Sequence, residues 1–228
     1  MSNLANQEVT YVEKLSLKVE NRNKKSYLFF KRFIDIFGAT VGLLLTLPCL
    51  LVLSSFYFYG SNKGPIFFKQ IRIGKDGKRF HIYKFRSMIV DAERKLKEDN
   101  ILYQKYINNN FKLEQDEDPR ITSFGKFIRK SSLDELPQFF NVLKGDMSLV
   151  GPRPVVLEEL EEYGSKKTEF LSVKPGITGY WQVCGRSDVG YPERVDIELY
   201  YVYNKNLVLD IKILFKTVIQ VVVRKGAY

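Results

Sequence analysis

Cysteine is nearly absent from this 228-residue sequence, and the two present, Cys49 and Cys184, lie far apart in unlike surroundings. Cys49 sits in an apolar run, which argues against a disulfide framework and for a reducing compartment. A cleavable secretory signal is also missing. The apolar run starts only at Phe33, and Phe56-Tyr57-Phe58-Tyr59-Gly60 is no small-residue cleavage site. No repeat or low-complexity tract occurs, and the length suits one domain with a real core. Acidic residues are in deficit, 26 against 36 lysines and arginines, so the net charge of +10 points to an anionic partner. Nucleic acid, an anionic membrane surface and a phosphorylated substrate all fit that sign. Recognised nucleic-acid motifs are absent and the basic residues are scattered rather than striped, which argues against nucleic acid.

What the chain has in excess is one apolar run. From Phe33 to Tyr59 the only charge is Asp35, and the length suffices for a helix across a bilayer. Pro48 removes a backbone donor and clashes with the carbonyl four residues back, so a kink or break is expected there. Membrane-spanning helices also carry prolines, so Pro48 alone does not decide the topology. Both flanks are basic: Arg22, Lys24, Lys25, Lys31 and Arg32 precede the run, and Lys63, Lys69, Arg72, Lys75, Lys78 and Arg79 follow it. Lysine and arginine beside membrane segments favour the cytoplasmic side, so both ends prefer the same side. A re-entrant helix kinked at Pro48 satisfies this better than a full crossing. Lys31, Arg32 and Asp35 then form a membrane anchor at the head groups, with Asp35 paired to Lys31 one turn away. Phe29, Phe30, Tyr57 and Tyr59 mark the interface.

Residues 1–27 read as a polar arm or surface helix. Pro65 to Ile73 and Lys78 to Phe85, joined through Asp76-Gly77, predict a β-hairpin. Helices are predicted from Ser87 to about Asn100, Leu136 to Leu143 (stopped by Gly145), Val155 to Tyr163, Pro192 to Asn204 and Val208 to Arg224. Lys174 to Gly179 is a turn-rich loop. The last helix is apolar but carries Lys212 and Lys216, which suits either the interface plane or the core. The fold class is α-rich α+β: a re-entrant membrane helix, a small β-hairpin and several amphipathic or interfacial helices around one core.

The densest polar signal is Ser131-Ser132-Leu133-Asp134-Glu135-Leu136-Pro137-Gln138. Ser132 with Glu135 fits a capping box, and acids in a first turn suit the helix dipole. Pro137 disturbs that register and favours a helix beginning nearer Asp134 or Glu135. The surroundings add cations. Arg129 and Lys130 precede the pair, Arg153 stands in the rigid turn Gly151-Pro152-Arg153-Pro154, and Arg186 ends Trp181-Gln182-Val183-Cys184-Gly185-Arg186. Lys84 and Arg86 in Tyr83-Lys84-Phe85-Arg86-Ser87-Met88 share one strand face by alternation. Two unit charges about 4 Å apart interact by roughly 4 kcal/mol at an effective dielectric near 20. A diphosphate beside two carboxylates therefore needs cations and a metal, although each of these residues singly also fits a solvated surface.

Taken together, these pieces resemble the monotopic phosphoglycosyl transferases, the bacterial sugar transferase family. The resemblance runs from Lys31-Arg32-Phe33-Ile34-Asp35 to about Thr217. It includes the Pro48 helix, Gln70-Ile71-Arg72-Ile73-Gly74, Asp118-Pro119-Arg120-Ile121-Thr122, Asn141 to Ser148 and Lys174-Pro175-Gly176-Ile177-Thr178-Gly179. It implies that Asp134 attacks the β-phosphate of a UDP-sugar, releasing UMP, and that undecaprenyl phosphate then takes the phosphosugar. It implies Glu135 as a Mg²⁺ ligand, in competition with its capping role, and Lys84, Arg86, Arg129, Arg153 and Arg186 near the phosphates. UDP-glucose or UDP-galactose is favoured as donor, in exopolysaccharide or capsule assembly. Expected partners are these substrates and membrane lipids, with no nucleic acid and with a homo-oligomer allowed. The expected location is the cytoplasmic face of a bacterial cell membrane. Cys184 and Ser87 depart from the serine and threonine common at their places. The domains follow as an arm at 1–27, a re-entrant helix at 28–60 and a cytoplasmic catalytic domain at 61–228, which looks like a stand-alone catalytic unit.

Overall fold

A computed structural model describes residues 25–111, 113–184 and 189–223. The apolar run forms α1 (Lys25–Ser54), about 45 Å long at the usual helical rise. The helix stays continuous through Pro48, so of the kink or break expected there, no break occurs. Its buried residues, Asp35, Ala39, Gly42, Thr46 and Leu53, fall on one stripe, while Phe29, Phe33, Phe37, Leu44, Leu45, Leu51 and Val52 stand exposed. In its most apolar window only 22% is buried, whereas a core helix of a soluble protein is mostly buried.

The hairpin pairs β1 (Phe67–Ile73) with β2 (Arg79–Phe85), Gln70 opposite Ile82. The turn places Asp76 and Gly77 at positive φ, which explains the Asp-Gly signal. Next come α2 (Ala92–Glu98) and α3 (Asn100–Asn108), where one helix ending near Asn100 was expected. The Asp99 side chain accepts from the backbone N–H groups of Ile101 and Leu102, so it caps a second helix. α4 (Ser123–Lys130) starts behind its cap Thr122, and α5 (Gln138–Lys144) stops at Gly145 with φ +91°.

A parallel pair that the sequence reading lacks joins β3 (Ser148–Val150) to β4 (Gly176–Thr178). Between them lie α6 (Leu157–Leu160), continued by a 3₁₀ turn, and α7 (Lys167–Leu171). The chain ends in α8 (Tyr180–Cys184), α9 (Glu193–Asn204) and α10 (Leu207–Val222). β3 and β4 meet closely through glycine. A Cβ on Gly176 would stand 2.1 Å from the Gly151 nitrogen, and one on Gly151 would stand 2.4 Å from the Lys174 carbonyl oxygen. Gly176→Ala is therefore expected to destabilise the fold by about 3 kcal/mol or more, a backbone clash being harder to relieve than ordinary overpacking; a thermal melt of the membrane-reconstituted variant reads this directly.

One cluster, with Ala39, Ile82, Val142, Met147, Val150, Tyr201 and Ile213, ties α1 to the hairpin, α5, β3, α9 and α10. A second, with Leu53, Phe85 and Ile128, ties the far end of α1 to β2 and α4. Both ends of the apolar helix thus rest on the same folded body. α10 buries Asp210 and Ile213 but exposes Val208, Ile211, Phe215, Val218 and Val222. Of the two expectations for this helix, packing holds one edge, and the opposite face presents apolar surface beside that of α1.

Lys31, Arg32 and Asp35 do not point away from the body. The Lys31 ammonium donates to the Val150 carbonyl and to Asp210, both at 3.0 Å, so its ion-pair partner is Asp210 rather than Asp35. Arg32 donates to the Val142 and Leu143 carbonyls at 2.7 and 2.8 Å, capping the last turn of α5. Asp35 accepts from the Ser148 hydroxyl and the Leu149 N–H, both at 2.9 Å. The trio joins helix to body. Cys49, half-buried, and Cys184, exposed, are both free.

Candidate active site

The carboxylate pair stands on a 3₁₀ turn (Leu133–Glu135) between α4 and α5. Ser132 is left-handed, at φ +56°, and makes no side-chain cap, so the capping box does not form. Pro137 occupies the N-cap position of α5, where a missing N–H costs nothing. Both residues of the pair are thereby freed from capping.

β2 brings Lys84 to Glu135, with the ammonium 2.7 Å from Oε1. Asn141 of α5 fixes that strand by accepting from the Tyr83 N–H at 3.0 Å and donating to the His81 carbonyl at 2.7 Å. Asp134 is buried, and burial pushes its carboxyl up to about 6, against the pull of Lys84 and with a further push from Glu135. Glu135, with its side chain 32% accessible, is held below the usual range: burial raises it, but Lys84 and Arg153 together outweigh that. One site thus holds one firmly ionised carboxylate and one easily protonated neighbour, as close like charges require. Arg129, at the end of α4, has its pKa lowered, burial outweighing the Asp134 charge that raises it.

Arg153 enters from the Gly151–Pro154 turn. Its backbone N–H donates to Glu198 at 3.0 Å, and Gly176 donates to the Pro152 carbonyl at 2.8 Å. Behind Glu198, Arg194 lies 4.2 Å from the Trp181 ring centroid and pairs with Glu159 at 2.8 Å. Among the described residues nothing hydrogen-bonds the Arg153 guanidinium, so its donors remain for a ligand. A cavity lies between the two groups, lined by Lys84, Glu135 and Arg153, and also by Arg72, Gln138 and Gln182. The last three carried no role in the sequence reading. Gln138 had a usable signal, standing three residues after Glu135, and it helps to hold the Glu135 pKa down. Arg72 is partly buried, its pKa lowered first by burial and then by Arg153; its partners Pro154 and Glu159 come from too far along the chain to be foreseen.

The structure therefore brings together Asp134, Glu135, Lys84, Arg129 and Arg153. It does not bring Arg86 to them. β2 ends at Phe85, so alternation ceases one residue before Arg86, which turns to donate to the carbonyls of Pro65, Met88 and Asn62. Its guanidinium lies 5.3 Å from the Tyr57 ring centroid, securing the end of the apolar segment to the body. Arg186 lies outside the described residues.

Among the described residues no group of three or more His, Cys, Asp or Glu side chains is placed to hold a metal. Two carboxylates suit Mg²⁺ all the same, because that ion takes one or two protein carboxylates together with substrate phosphates and water. The oxygen-only donor set fits it, with Glu135 the ionised member.

A family profile described as bacterial sugar transferase matches residues 26–224. The chain is 46% identical to the undecaprenyl-phosphate galactose phosphotransferase of Salmonella typhimurium, over 99% of this chain and 48% of that protein. It is 48% identical to the galactosyl transferase CpsE of Streptococcus agalactiae, over 90% of this chain and 44% of that one. The exopolysaccharide production protein ExoY of Sinorhizobium fredii is 41% identical, over 87% of this chain and 88% of ExoY. This chain belongs to the bacterial sugar transferase family. It spans about half the length of the first two relatives and nearly the whole of the third.

Proposed function

We propose that the chain transfers a hexose-1-phosphate from UDP-galactose or UDP-glucose to undecaprenyl phosphate, releasing UMP, in the initiating step of exopolysaccharide or capsule assembly. The observation carrying this reading is that Glu135, Lys84 and an Arg153 guanidinium with no hydrogen bond among the described residues line one cavity, with Asp134 adjacent to Glu135 and Arg129 acting on its charge. Galactose is named in the Salmonella and Streptococcus relatives and undecaprenyl phosphate in the Salmonella one.

In the first step an Asp134 oxygen attacks the β-phosphorus; the bond to the bridging oxygen breaks, and UMP leaves with the electron pair. In the second, an oxygen of undecaprenyl phosphate attacks the same phosphorus; the bond to Asp134 breaks and the carboxylate is restored. Splitting one transfer into two steps is the gain from a covalent intermediate. Burial of Asp134 strips its water and leaves it a stronger nucleophile. Arg153, Lys84 and Arg129 hold the diphosphate and its developing charge. Glu135 would hold Mg²⁺, which when bound would offset the diphosphate charge.

A re-entrant seat on the cytoplasmic face is part of the proposal. It is supported by the attachment of both ends of α1 to one body and by the apolar faces that α1 and α10 turn outward. In that arrangement a lipid phosphate and a soluble nucleotide-sugar reach the same carboxylate. The test is UMP release from a panel of UDP-sugars by the reconstituted protein with undecaprenyl phosphate and Mg²⁺. UMP formation from UDP-galactose or UDP-glucose, with loss on adding EDTA and recovery on restoring Mg²⁺, is expected. No UMP from any sugar would refute the reading.

A further inference from the structure

Two residues lining the cavity beside Glu135 each carry a buried polar atom with no partner among the described residues: Gln182 Oε1, an acceptor, and Arg72 Nε, a donor. A buried polar group left unpaired costs about 1–3 kcal/mol, so each is a place where a ligand atom gains.

The orientation of Gln182 is determined. Its Nε2 donates to the Ile177 carbonyl at 3.1 Å, and reversing the amide would set two acceptors against each other. Room for Oε1 comes from Gly179, where a Cβ would stand 2.7 Å from it and 2.2 Å from the Gly151 carbonyl oxygen. An oxygen fixed in this way repels a phosphate oxygen and accepts only from a donor. The Arg72 Nε–H wants an acceptor. A hydroxyl is both donor and acceptor, and the wall completed by Ile82, Pro154 and Ile177 is apolar, as a sugar ring prefers.

We infer that Gln182 is a specificity-determining residue, its Oε1 accepting a hydrogen bond from a hydroxyl of the transferred hexose, with Arg72 lining the same cavity. This rests on the donor being a UDP-hexose, as proposed above. A ribose hydroxyl shares the chemistry, but the cavity borders Glu135 and Arg153, where the phosphate carrying the hexose would be transferred.

The experiment compares UDP-galactose and UDP-glucose with their monodeoxyhexose analogues, and with 2′- and 3′-deoxyuridine analogues, on the reconstituted wild-type chain and on Gln182→Met. Methionine keeps the length and removes the acceptor. One deoxyhexose should lose about 10- to 100-fold in kcat/KM on the wild type, because a site built to bond a hydroxyl rejects the analogue lacking it. On Gln182→Met the intact and deoxy donors should become equal within about threefold, the acceptor being gone. Equal penalties on both proteins would overturn the assignment. So would a wild type indifferent to every deoxyhexose, an outcome that needs no variant. A Gln182-dependent loss confined to the ribose analogues would overturn it too, while leaving the transferase reading intact. Failure of the wild type to release UMP from any intact UDP-hexose would remove that reading and this one together.

Discussion

Asp134→Asn is expected to lower UMP release by about 10⁴-fold or more, the usual cost of deleting a nucleophile. The substitution is nearly isosteric and removes a charge that burial already disfavours, so folding should be preserved or improved. Membrane association should be unchanged, because the α1 and α10 surfaces do not involve residue 134. Thermal melting and flotation on liposomes check both points beside the assay. Unchanged turnover would exclude Asp134 as the attacking group. Glu135→Gln should also fail, through loss of the ionised partner of Lys84, but with a dependence on Mg²⁺ concentration that Asp134→Asn lacks.

The second large effect separates two arginines that look alike in sequence. Arg153→Ala should reduce kcat/KM by about 10²- to 10³-fold, as expected for one charged donor at a developing oxyanion. Stability should hardly change, since among the described residues that guanidinium makes no hydrogen bond. Arg86→Ala should do the reverse. It removes three charge-assisted bonds to carbonyls, each worth about 1.5–3 kcal/mol, and detaches the end of the apolar segment from β2. The melting temperature of Arg86→Ala should fall by several degrees or more, while protein that remains folded keeps its kcat/KM. If the two phenotypes were exchanged, the assignment of cations to the phosphate site would be wrong.

These two arginines also show how far the sequence could be read. Period-two alternation put Lys84 and Arg86 on one face, but β2 ends at Phe85, so Lys84 reaches Glu135 while Arg86 turns to the carbonyls of Pro65, Met88 and Asn62. The hairpin was legible because its turn has a chemical signature and its partners are neighbours. β3 and β4 were not, since three-residue strands paired across about 25 intervening residues leave no periodic signal. Lys31, Arg32 and Asp35 gave the right location, at the start of the apolar helix, and the wrong partners. Their bonds reach across 179, 110 and 113 residues, distances over which a single sequence carries no pairing signal. Pro137 pointed to a helix beginning near Asp134 or Glu135, whereas α5 begins at Gln138 and the pair stands on a separate 3₁₀ turn.

The seating of α1 has a consequence for the site. Arg32 caps the last turn of α5, Asn141 within α5 holds β2, and β2 carries Lys84 to Glu135. The apolar helix and the reactive pair are therefore connected through one short helix. Detergents that strip α1 from the body should depress turnover before the hairpin melts.

Mass spectrometry of the intact protein, incubated with UDP-galactose or UDP-glucose and Mg²⁺ but without lipid acceptor, detects the covalent step itself. A gain equal to one hexose phosphate is expected, mapped by peptide analysis to Asp134 and discharged on adding undecaprenyl phosphate. Turnover of the same preparation with no adduct under rapid quench, or an adduct on any other side chain, would contradict it.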